Sequence, residues 1–530
     1  MGSGAASTTF EAIAQADVIL LCGANPTEAH PIVGNKILRA IKRGTKLIVI
    51  DPRKTYLASR ADLWLSVKPG GNIPLLCGML RVILEEELYN KDFIAERTED
   101  FEAIKHHILS EWPLERAERL SGVPRAYIEQ AARLYAKAEK ALILYGLGVA
   151  EHKGGTNGVM CLANLVLACG QVGRPGVGIM PLRGQNNVQG ACDLGTLPYT
   201  FPGYQPMEEK TLAKFEAAWG VKLSRNKGLM EPQMYEEALR GKLKALYAIG
   251  YDVAQTQANI QKVWKALSKL ELLVVQDPFM PYTGRFAHVV LPAASIYEKE
   301  GTVTNGERRI MRVRQVIPPP KGVRPDWEII CDLSRRLGYE MNYRNPEEIF
   351  EEMRTLMPIY AGASYARLED SRLCWPIPEE DHPGTQILYT EGFPRGKAHF
   401  GVPHHWPPEE EPDREYPLVL VTGRRLYHYN CGSQTRRCEN FSEVAPEEYL
   451  EINPKDARAL GVRDGELVRV ISRRGSIEVK TKVTTSVQPG QVFLSFHYPE
   501  TLTNIITSEA LDVKTLTPEY KVAAVRVQPL

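Results

Sequence analysis

The sequence predicts an α/β protein with two doubly wound, Rossmann-like nucleotide-binding domains and a C-terminal six-stranded β-barrel. Three observations support this prediction. Buried-strand patterns alternate with helical patterns from residue 18, the same alternation starts again at residue 245, and short β-rich runs follow residue 418. Ligands of doubly wound sheets bind beyond the carboxyl ends of the strands, so the loops at those ends are the candidate sites.

The composition is that of an ordinary globular protein. The chain has 530 residues, 44% hydrophobic and 24% charged, which predicts about two to four domains. The formal net charge is +1, so we expect neither nucleic acid nor an acidic membrane surface as a partner. No apolar run reaches about 18 residues, so we expect no membrane span, and residues 1–9 do not resemble a signal peptide.

The nine cysteines are scattered, mostly in apolar runs, which is typical of reduced thiols in a cytoplasmic protein. There is no C-x-x-C pair, so we expect no iron–sulfur cluster or zinc site from these residues and predict no metal ligand. Cys431 and Cys438 lack a second pair and are interpreted as unrelated thiols. His404 and His405 lack a spaced partner and are interpreted as solvated.

The first α/β unit is predicted from its strands and from the loops that follow them. We expect strands at 18–22, 47–50, 63–67 and 141–145, and helices at about 32–43, after 72 and from about 156. Gly23 ends the first strand, and Asp51 follows the second, where an acid often binds a ribose hydroxyl or a base edge. Asn72 is expected to cap the helix after the third strand. The G-x-G sequence at 146–148 is either a nucleotide loop or only a tight strand-to-helix turn.

The first pattern returns later in the chain. Gly23 precedes Asp51 by 28 residues, and Gly250, which ends a strand pattern at 245–249, precedes Asp277 by 27. A further polar residue lies 11 positions beyond each aspartate. These spacings suggest two copies of one nucleotide-binding unit. The alternative is that all doubly wound folds look alike at this level.

Three stretches show little periodicity. Residues 198–240 look mobile, 298–326 look like an irregular ion-paired insert, and 393–417 look like a surface strap. Asp326 opens a helical pattern and could simply be its N-cap. The domain boundaries we predict are 1–185 and 186–348 for the two nucleotide-binding domains, 349–404 for an irregular connection, and 405–530 for the barrel.

Barrel strands are expected at 418–421, 467–471, 477–483, 492–496 and 523–527. The polar loops between them could reach a ligand held by the α/β part. The stretch 183–193 reads Arg-Gly-Gln-Asn-Asn-Val-Gln-Gly-Ala-Cys-Asp. Its amides and glycines suit a backbone that lies against a polar ligand, although a solvated loop has the same composition.

Four motifs together resemble the molybdopterin oxidoreductase family. They are the 183–193 stretch, Gly-Ala-Asn-Pro at 23–26 with His-Pro at 30–31, Asp-Pro-Arg at 51–53, and Thr-Pro-Glu-Tyr-Lys at 517–521. The likeness covers the chain from Gly2 onward and is greatest to the formate dehydrogenase catalytic subunits within the family. It implies a bis-molybdopterin guanine dinucleotide that carries molybdenum or tungsten, and a barrel of the double-psi type that closes over both pterins.

The resemblance also assigns residues to the cofactor. One dinucleotide would be bound by Gly23, Asn25, Glu28, Asp51, Arg53, Gly71 and Asn72, together with Gly146, Leu147 and Gly148. The other would be bound by Gly250, Asp252, Thr256, Gln276, Asp277 and Asp326. Pterin and diphosphate contacts would come from Gln185, Arg424, His428, Ser433, Thr435, His497, Asn504, Tyr520 and Lys521. Carboxylates accept from guanine N–H groups or ribose hydroxyls, and cations pair with diphosphate.

Arg183 is the implied catalytic residue. Its guanidinium would bind the formate carboxylate with two hydrogen bonds and lose that grip when neutral CO2 forms. The implied partners are formate, CO2 and iron–sulfur subunits that take the electrons. Two alternatives stay open: another family member that acts on nitrate or a different oxyanion, and a metal-free structural or electron-transfer relative in a respiratory complex.

The chain departs from the family pattern in two places. The family carries an upstream region with a four-cysteine 4Fe–4S cluster and a selenocysteine or cysteine metal ligand, and Met1-Gly-Ser-Gly-Ala falls just after that ligand. Our hypothesis is that this reading frame opens downstream of an in-frame UGA codon for selenocysteine, so these residues alone are expected to be inactive. The Tyr-Asp-Val-Ala-Gln sequence at 251–255 also replaces the family's usual turn, which puts the contacts of that loop in doubt.

Overall fold

The computed structural model describes residues 1–369 and 372–530. The chain forms two compact units. Unit 1 comprises Met1–Leu182, Gln255–Gln261 and Ile387–Leu530, and unit 2 comprises 183–254 and 262–386. Among the described residues, none of the helices combines the length and hydropathy needed to span a bilayer.

Unit 1 contains a five-stranded parallel sheet. Its strands, in spatial order, are Leu63–Leu65, Lys46–Ile50, Val18–Cys22, Ala141–Tyr145 and Gly178–Pro181. The strand order reverses between Val18–Cys22 and Ala141–Tyr145, so the sheet is doubly wound with its switch point between the loops that follow these two strands. All five strands run in one direction, and their carboxyl ends meet at one edge.

Helices cover both faces of this sheet because successive strand residues point to opposite sides. Leu20 belongs to one buried cluster, whereas Ile19 and Leu21 belong to the other. The helices are Pro26–Ala29, Pro31–Lys42, Asn72–Glu85, Lys91–Arg97, Phe101–Glu111, Leu114–Ser121, Arg125–Ala136, Leu147–Ala150 and Gly155–Ala168, with 3₁₀ turns at Phe10–Ala14 and Ala58–Arg60.

The barrel of unit 1 is closed and has six strands, as predicted. In spatial order they are Leu418–Gly423, Gln491–Ser495, Tyr449–Ile452, Ser476–Val483, Leu467–Ile471 and Ala523–Pro529. The strand Tyr449–Ile452 was not located from the sequence. Short helices at Glu439–Val444 and Pro454–Leu460 and 3₁₀ turns at Thr435–Arg437 and Thr503–Ile505 connect the strands, and Thr98–Glu99 pairs with Ala398–His399 outside the barrel.

Unit 2 contains a three-stranded parallel sheet in the order Val289–Pro292, Leu272–Asp277, Ala245–Ile249. Two antiparallel pairs accompany it: Gly301–Thr304 with Ile310–Val313, and Thr200–Phe201 with Gln205–Pro206. Its helices are Val188–Asp193, Glu209–Trp219, Glu231–Leu239, Asp326–Arg336 and Pro346–Leu356, with 3₁₀ turns at Pro202–Tyr204, Tyr282–Arg285 and Pro358–Tyr360. Helices Val253–Thr256 and Ile260–Leu267 each contribute residues to both units.

The two sheets repeat one backbone arrangement after the first strand. Gly23 has φ +56° and Gly250 has φ +60°, a region that glycine adopts without strain. The Gly23 N–H donates to the Ile50 carbonyl at 2.8 Å, and the Gly250 N–H donates to the Gln276 carbonyl at 2.8 Å. Each glycine therefore turns the chain away at the carboxyl end of the neighbouring strand.

The second strand is also held in the same way in both sheets. Oδ1 of Asp51 and Oδ1 of Asp277 each accept from the backbone N–H two residues further on, at 2.8 and 3.0 Å. At the start of that strand, Asp62 Oδ2 and His288 Nδ1 each accept from a leucine N–H at 2.9 Å. The structural repeat predicted from residue spacing is confirmed. We call the loops and strand ends around Gly23 and Asp51 the first half-site, and those around Gly250 and Asp277 the second half-site.

Several local predictions were wrong. Residues 198–240 contain two helices, and the insert at 298–326 contains a hairpin. Asn72 is the first residue of its helix, and the N-cap is Gly71. Asp326 is likewise the first residue of its helix, and the N-cap there is Pro325. The proposed domain boundaries stay a prediction.

Candidate functional site

The loop that follows the first strand packs directly on the G-x-G loop. The Gly148 N–H donates to the Gly23 carbonyl at 2.9 Å, and the Gly146 N–H donates to the Cys22 carbonyl at 3.0 Å. A Cβ added to Gly23 would lie 2.5 Å from the Gly148 carbonyl carbon. The G-x-G sequence therefore forms a tight strand-to-helix turn, while Leu147 between its glycines is 48% exposed. Contact of these residues with a ligand stays a prediction.

Two carboxyl groups meet at the first half-site. Asp51 is 8% exposed, and burial raises its pKa to about 6, although the Arg53 N–H and guanidinium oppose the rise. Burial also raises the pKa of Glu28, with Glu451 adding to the effect and Arg53 opposing it. Asn25 in the same loop uses its Oδ1 to accept from Thr27 at 2.9 Å.

A buried chain of charges joins the first half-site to the barrel. Arg53 Nη2 donates to both oxygens of Glu451 at 3.1 and 3.0 Å, and its guanidinium lies 3.5 Å from the centre of the Phe493 ring. Arg425 Nη1 donates to Glu451 at 2.8 Å, and Arg425 Nε donates to Glu448 at 3.2 Å. Two arginines hold the pKa of Glu451 below its usual value despite burial. Of the residues in this buried network of charges, only Arg53 was selected from the sequence.

Two barrel histidines have structural partners. His497 is fully buried; its Nε2 accepts from the Arg425 N–H at 2.8 Å, and its Nδ1 contacts the Asn430 carbonyl. Burial lowers the pKa of His497 to about 3, so the ring is neutral with its proton on Nδ1. His428 contacts the Ala445 carbonyl through Nε2 at 2.8 Å and Thr435 Oγ1 through Nδ1 at 3.3 Å. These partners fix the rings.

Asn72 and His152 lie next to each other at the G-x-G turn. Asn72 Nδ2 donates to the Gly148 carbonyl at 3.2 Å and lies 3.4 Å from His152 Nε2, which in turn lies 2.9 Å from the same carbonyl. Burial lowers the pKa of His152 to about 4. His152 was not selected from the sequence, because a single histidine in a helical pattern carries no specific signal.

Two cations of the barrel loops lie near Glu151. Lys521 Nζ is 3.0 Å from Glu151 Oε2 and 3.3 Å from the Thr422 carbonyl. Burial lowers the pKa of Arg424, and the charge of Glu151 opposes that effect. The arrangement leaves two cationic side chains and one carboxylate close together, which is suited to binding an anionic diphosphate.

The segment Gln255–Gln261 of unit 1 lies against the barrel loops. Asn504 Nδ2 donates to the carbonyls of Gln255 and Thr256 at 3.2 and 2.9 Å, and Tyr520 donates to the Thr256 carbonyl at 3.2 Å. Asn504 and Tyr520 thus position this segment. Thr256 belongs to unit 1, whereas the other residues assigned to the second dinucleotide belong to unit 2. Ser433 is half-buried and its carbonyl accepts from Arg437 at 3.0 Å.

The second half-site contains a polar chain of its own. Gln276 is fully buried, accepts from the Tyr247 hydroxyl and donates to Asp326 Oδ1 at 2.7 Å. Asp326 also forms an ion pair with Lys299. Asp326 therefore acts as a link between two elements and not as a helix cap.

Asp252 has a scaffolding role in the same loop. It is 5% exposed, and its two oxygens accept from the backbone N–H groups of Tyr282 and Thr283 at 2.9 and 2.8 Å and from the Thr283 hydroxyl at 2.6 Å. These bonds hold the Gly250 loop to the 3₁₀ turn Tyr282–Arg285. A direct ligand contact of Asp252 stays a prediction.

The 183–193 stretch is ordered through its own amides. Arg183 is half-buried, and its Nη1 donates to Cys192 Sγ at 3.8 Å. Asn187 Oδ1 accepts from the Thr304 N–H at 2.9 Å, and Gln189 Nε2 donates to Asp193 at 2.8 Å. These bonds hold the loop to the rest of the protein, while Gln189 Oε1 is buried without a hydrogen-bond partner among the described residues. Gln185 is half-buried and stays a candidate.

The residues of unit 1 fit a polar cofactor by one direct criterion. In the described part of unit 1, Arg53 Nε and His152 Nδ1 are among the buried nitrogens without a hydrogen-bond partner, and both lie at the loops of the first sheet. Buried polar atoms without partners are costly, and a bound polar group would satisfy them. In unit 2, a Cβ on Gly250 would meet no heavy atom of the described residues within 4 Å, so space for a ligand exists beside that loop.

Comparisons with known proteins agree with this arrangement. Residues 2–336 match the family described as molybdopterin oxidoreductase, and residues 418–524 match the molydopterin dinucleotide binding domain. The chain belongs to the molybdopterin oxidoreductase family, and its fold class and the family resemblance are confirmed. The cofactor of this class is the bis-molybdopterin guanine dinucleotide with molybdenum or tungsten.

Relatives cover almost the whole chain. It is 42% identical to the F420-dependent formate dehydrogenase subunit alpha of Methanocaldococcus jannaschii, over 99% of this chain and 78% of that protein. It is 40% identical to formate dehydrogenase H of Escherichia coli, over 100% of this chain and 75% of that protein. Acetylene hydratase from Pelobacter acetylenicus shares the fold, with a TM-score of 0.77 at 21% identity over 99% of this chain and 79% of that chain.

Proposed function

We propose that the chain oxidises formate to CO2 as the catalytic subunit of a formate dehydrogenase. Two kinds of observation support this proposal. The relatives of known name at 40–43% identity are formate dehydrogenase alpha subunits and formate dehydrogenase H. The structural observation that carries the proposal is the guanidinium of Arg183, which lies at the start of the hydrogen-bonded 183–193 loop. The family to which the chain belongs consists of oxidoreductases.

Arg183 binds the substrate anion in this proposal. The reaction releases one proton and two electrons from formate and leaves neutral CO2. A guanidinium donates two parallel hydrogen bonds to a carboxylate and makes no comparable interaction with CO2. Arg183 therefore holds the substrate in place and releases the product. The bound metal–pterin group supplies the acceptor for the two electrons.

The two half-sites hold the two guanine dinucleotides. At the first half-site, hydrogen-bond acceptors and backbone that a ligand can approach closely come from Asn25, Glu28, Asp51 and Gly71. At the second half-site, they come from Gln276, Asp277 and Asp326. Carboxylates accept from guanine N–H groups and ribose hydroxyls. The diphosphate is bound by the cationic side chains of Arg424 and Lys521. In this proposal the domain boundaries are those predicted from the sequence, after residues 185, 348 and 404.

Electrons leave through iron–sulfur subunits that bind this chain in the cytoplasm. The relatives are named as alpha subunits, which supports an assembly with other subunits. All nine cysteines are free thiols, and seven of them are buried. Reduced thiols are typical of the cytoplasm.

Formate-dependent reduction of a viologen dye by the holoenzyme tests this proposal. Replacing Arg183 with Ala should lower kcat/KM for formate by about 100-fold or more, the effect of losing ~2.7 kcal/mol of charge-assisted bonding. Arg183→Lys should restore part of it, because the charge remains but the fork is lost. Arg344→Ala, which removes an arginine with an 86% exposed side chain, is the matched control.

Three outcomes would contradict the proposal. The wild-type holoenzyme could reduce nitrate with reduced dye and ignore formate, which would favour an oxyanion reductase. It could contain neither molybdenum nor tungsten by elemental analysis, which would favour a structural relative. Arg183→Ala could also keep full formate activity, which would remove the substrate role of that residue.

A further inference from the structure

A buried carboxylate lies at the end of the 183–193 stretch. Asp193 is fully buried. Gln189 Nε2 and the Tyr204 hydroxyl both donate to its Oδ1 at 2.8 Å, and the Tyr360 hydroxyl donates to its Oδ2 at 2.8 Å. Both oxygens therefore accept from neutral donors, which is the arrangement that keeps a buried polar group satisfied.

These donors come from separate parts of unit 2. Tyr204 ends the 3₁₀ turn Pro202–Tyr204, and Tyr360 ends the turn Pro358–Tyr360. Gln189 lies one helical turn before Asp193 and also donates to the Tyr204 hydroxyl at 3.0 Å. The carboxylate thus joins the short helix Val188–Asp193 to two turns that are distant in the sequence.

The other end of the loop is fixed to the same structure. Asn187 Oδ1 accepts from the Thr304 N–H at 2.9 Å, and the Thr304 hydroxyl lies 2.6 Å from the Tyr360 hydroxyl. A Cβ on Gly190 would lie 2.2 Å from Asn187 Oδ1, so only glycine lets the helix start this close to the amide. Tyr360 therefore connects both ends of the helix.

Arg183 contacts this unit through the residue next to Asp193. Its Nη1 donates to Cys192 Sγ at 3.8 Å. A thiol is a weak acceptor. Cys192 lies in the helix Val188–Asp193, so a shift of that helix displaces this contact with the Arg183 guanidinium, and the hydrogen bonds of Asp193 hold the helix in place.

We propose that Asp193 is the positioning residue for Arg183, acting through Gln189, Tyr204 and Tyr360. The inference rests on the proposed function in one respect, namely that Arg183 binds formate. Asp193 itself does not touch the substrate. It sets the direction of the guanidinium by holding the helix Val188–Asp193 in a single place.

The structure distinguishes a conservative from a disruptive variant. In Asp193→Asn, the amide oxygen still accepts from Gln189 and Tyr204. The new amide donates to the Tyr360 hydroxyl, which turns its own hydrogen toward Thr304. In Asp193→Ala, all three donors lose their acceptor, and Tyr204→Phe removes one of them with little change of shape.

Kinetics with formate should separate these variants. We expect Asp193→Ala to raise the KM for formate about tenfold or more, equivalent to ~1.4 kcal/mol, with a smaller change in kcat. Tyr204→Phe should raise KM by a smaller factor, and Asp193→Asn should restore KM to within about twofold of wild type, since its geometry is kept.

Alkylation of Cys192 gives a readout that needs no activity. Cys192 is half-buried, Cys438 is exposed, and the other seven cysteines are buried. The rate of alkylation by iodoacetamide is measured by peptide mass spectrometry, with Cys438 as the internal reference. Asp193→Ala and Tyr204→Phe should speed alkylation of Cys192 relative to Cys438, and Asp193→Asn should not.

The two readouts keep this inference distinct from the proposed function. If the wild-type enzyme does not oxidise formate, the proposed function fails, but faster alkylation in Asp193→Ala still supports positioning. If formate is oxidised and Asp193→Ala changes neither KM nor alkylation, the positioning role is wrong. Should Asp193→Ala fail to fold, Tyr204→Phe decides on its own by the same criteria. If Asp193→Asn is as impaired as Asp193→Ala, the charge and not the hydrogen-bond geometry matters, and the proposal fails.

Discussion

The two half-sites share one backbone arrangement and differ in what surrounds it. Gly23 and Gly250 have the same left-handed conformation and the same hydrogen bond to the neighbouring strand. Gly23, however, packs against the Gly148 backbone, whereas a side chain on Gly250 would meet no described atom within 4 Å. The two half-sites therefore share a backbone conformation, but the glycine is closely packed only in the first.

Charged side chains differ between the half-sites in the same way. In the first, Arg53 shares Glu451 with Arg425 of the barrel, so the loop is tied to a second layer. In the second, Asp252 is satisfied by backbone donors of Tyr282 and Thr283. Similar spacing therefore predicts similar backbone geometry, while the role of each carboxylate depends on neighbours that spacing does not show.

The largest effect should come from breaking the charge chain of the first half-site. Glu451→Ala leaves two arginines buried without their shared carboxylate, since the side chains of Arg53 and Glu451 are 12% and 6% exposed. We expect the free energy of unfolding, measured by urea titration of the cofactor-free chain, to fall by ~3–5 kcal/mol. Glu478→Ala, which breaks an exposed pair with Arg469, should cost at most about 0.5 kcal/mol. Equal costs in the two variants would show that the buried chain is not special.

The glycine pair gives the sharpest test of the difference in packing. Gly250→Ala should cost ~1 kcal/mol, the price of a left-handed conformation for alanine. Gly23→Ala carries the same conformational cost plus a 2.5 Å clash with the Gly148 backbone, so we expect ~3 kcal/mol or more. Thermal unfolding of both variants checks this order, and the reverse order would contradict the packing difference.

Removing the scaffold carboxylate should affect the second half-site by a smaller amount. Asp252→Ala leaves two backbone N–H groups and a hydroxyl without an acceptor and should cost ~2–3 kcal/mol. Asn25→Ala, at the matching place after Gly23, loses side-chain hydrogen bonds with Thr27 and Glu28 and should cost about 1 kcal/mol. Urea unfolding compares the two, and a larger loss in Asn25→Ala would reverse their assigned roles.

The smallest expected effect depends on pH. Burial raises the folded-state pKa of Asp51 to about 6, above its usual 3.8, so ionisation costs stability that is lost as pH rises from about 4 through about 6. Asp51→Asn should therefore stabilise the cofactor-free chain by ~1–3 kcal/mol at pH 7.5 and have little effect at pH 4. A pH-independent gain in Asp51→Asn would rule out the ionisation cause.

The sequence predicted the parts of the fold that depend on local pattern. The strand Val18–Cys22 has the predicted bounds. The spacing of the residues also predicted that Gly250 and Asp277 occupy places equivalent to those of Gly23 and Asp51. The Glu451 partner of Arg53 lies 398 residues away, so local patterns contain no sign of it. The helices in 198–240 were missed because their many charged residues and flanking prolines resemble a linker.

The candidate site was predicted only in part, because contacts between residues distant in the sequence leave no local pattern. Motif resemblance pointed to Arg183 and to the barrel loops, but the roles of Asp193 and His152 follow from contacts made by folding. Asn72 was expected as a cap because Asn is common there, yet the turn at Gly71 takes that place and frees the Asn72 amide for the Gly148 carbonyl.

The most direct test of two nucleotide-binding half-sites is the guanine content of the holoenzyme. Phosphodiesterase treatment followed by chromatography should release about two moles of GMP, with about one mole of molybdenum or tungsten, per mole of chain, as one dinucleotide in each half-site requires. Release of only one GMP, or of adenine nucleotide, would contradict the account.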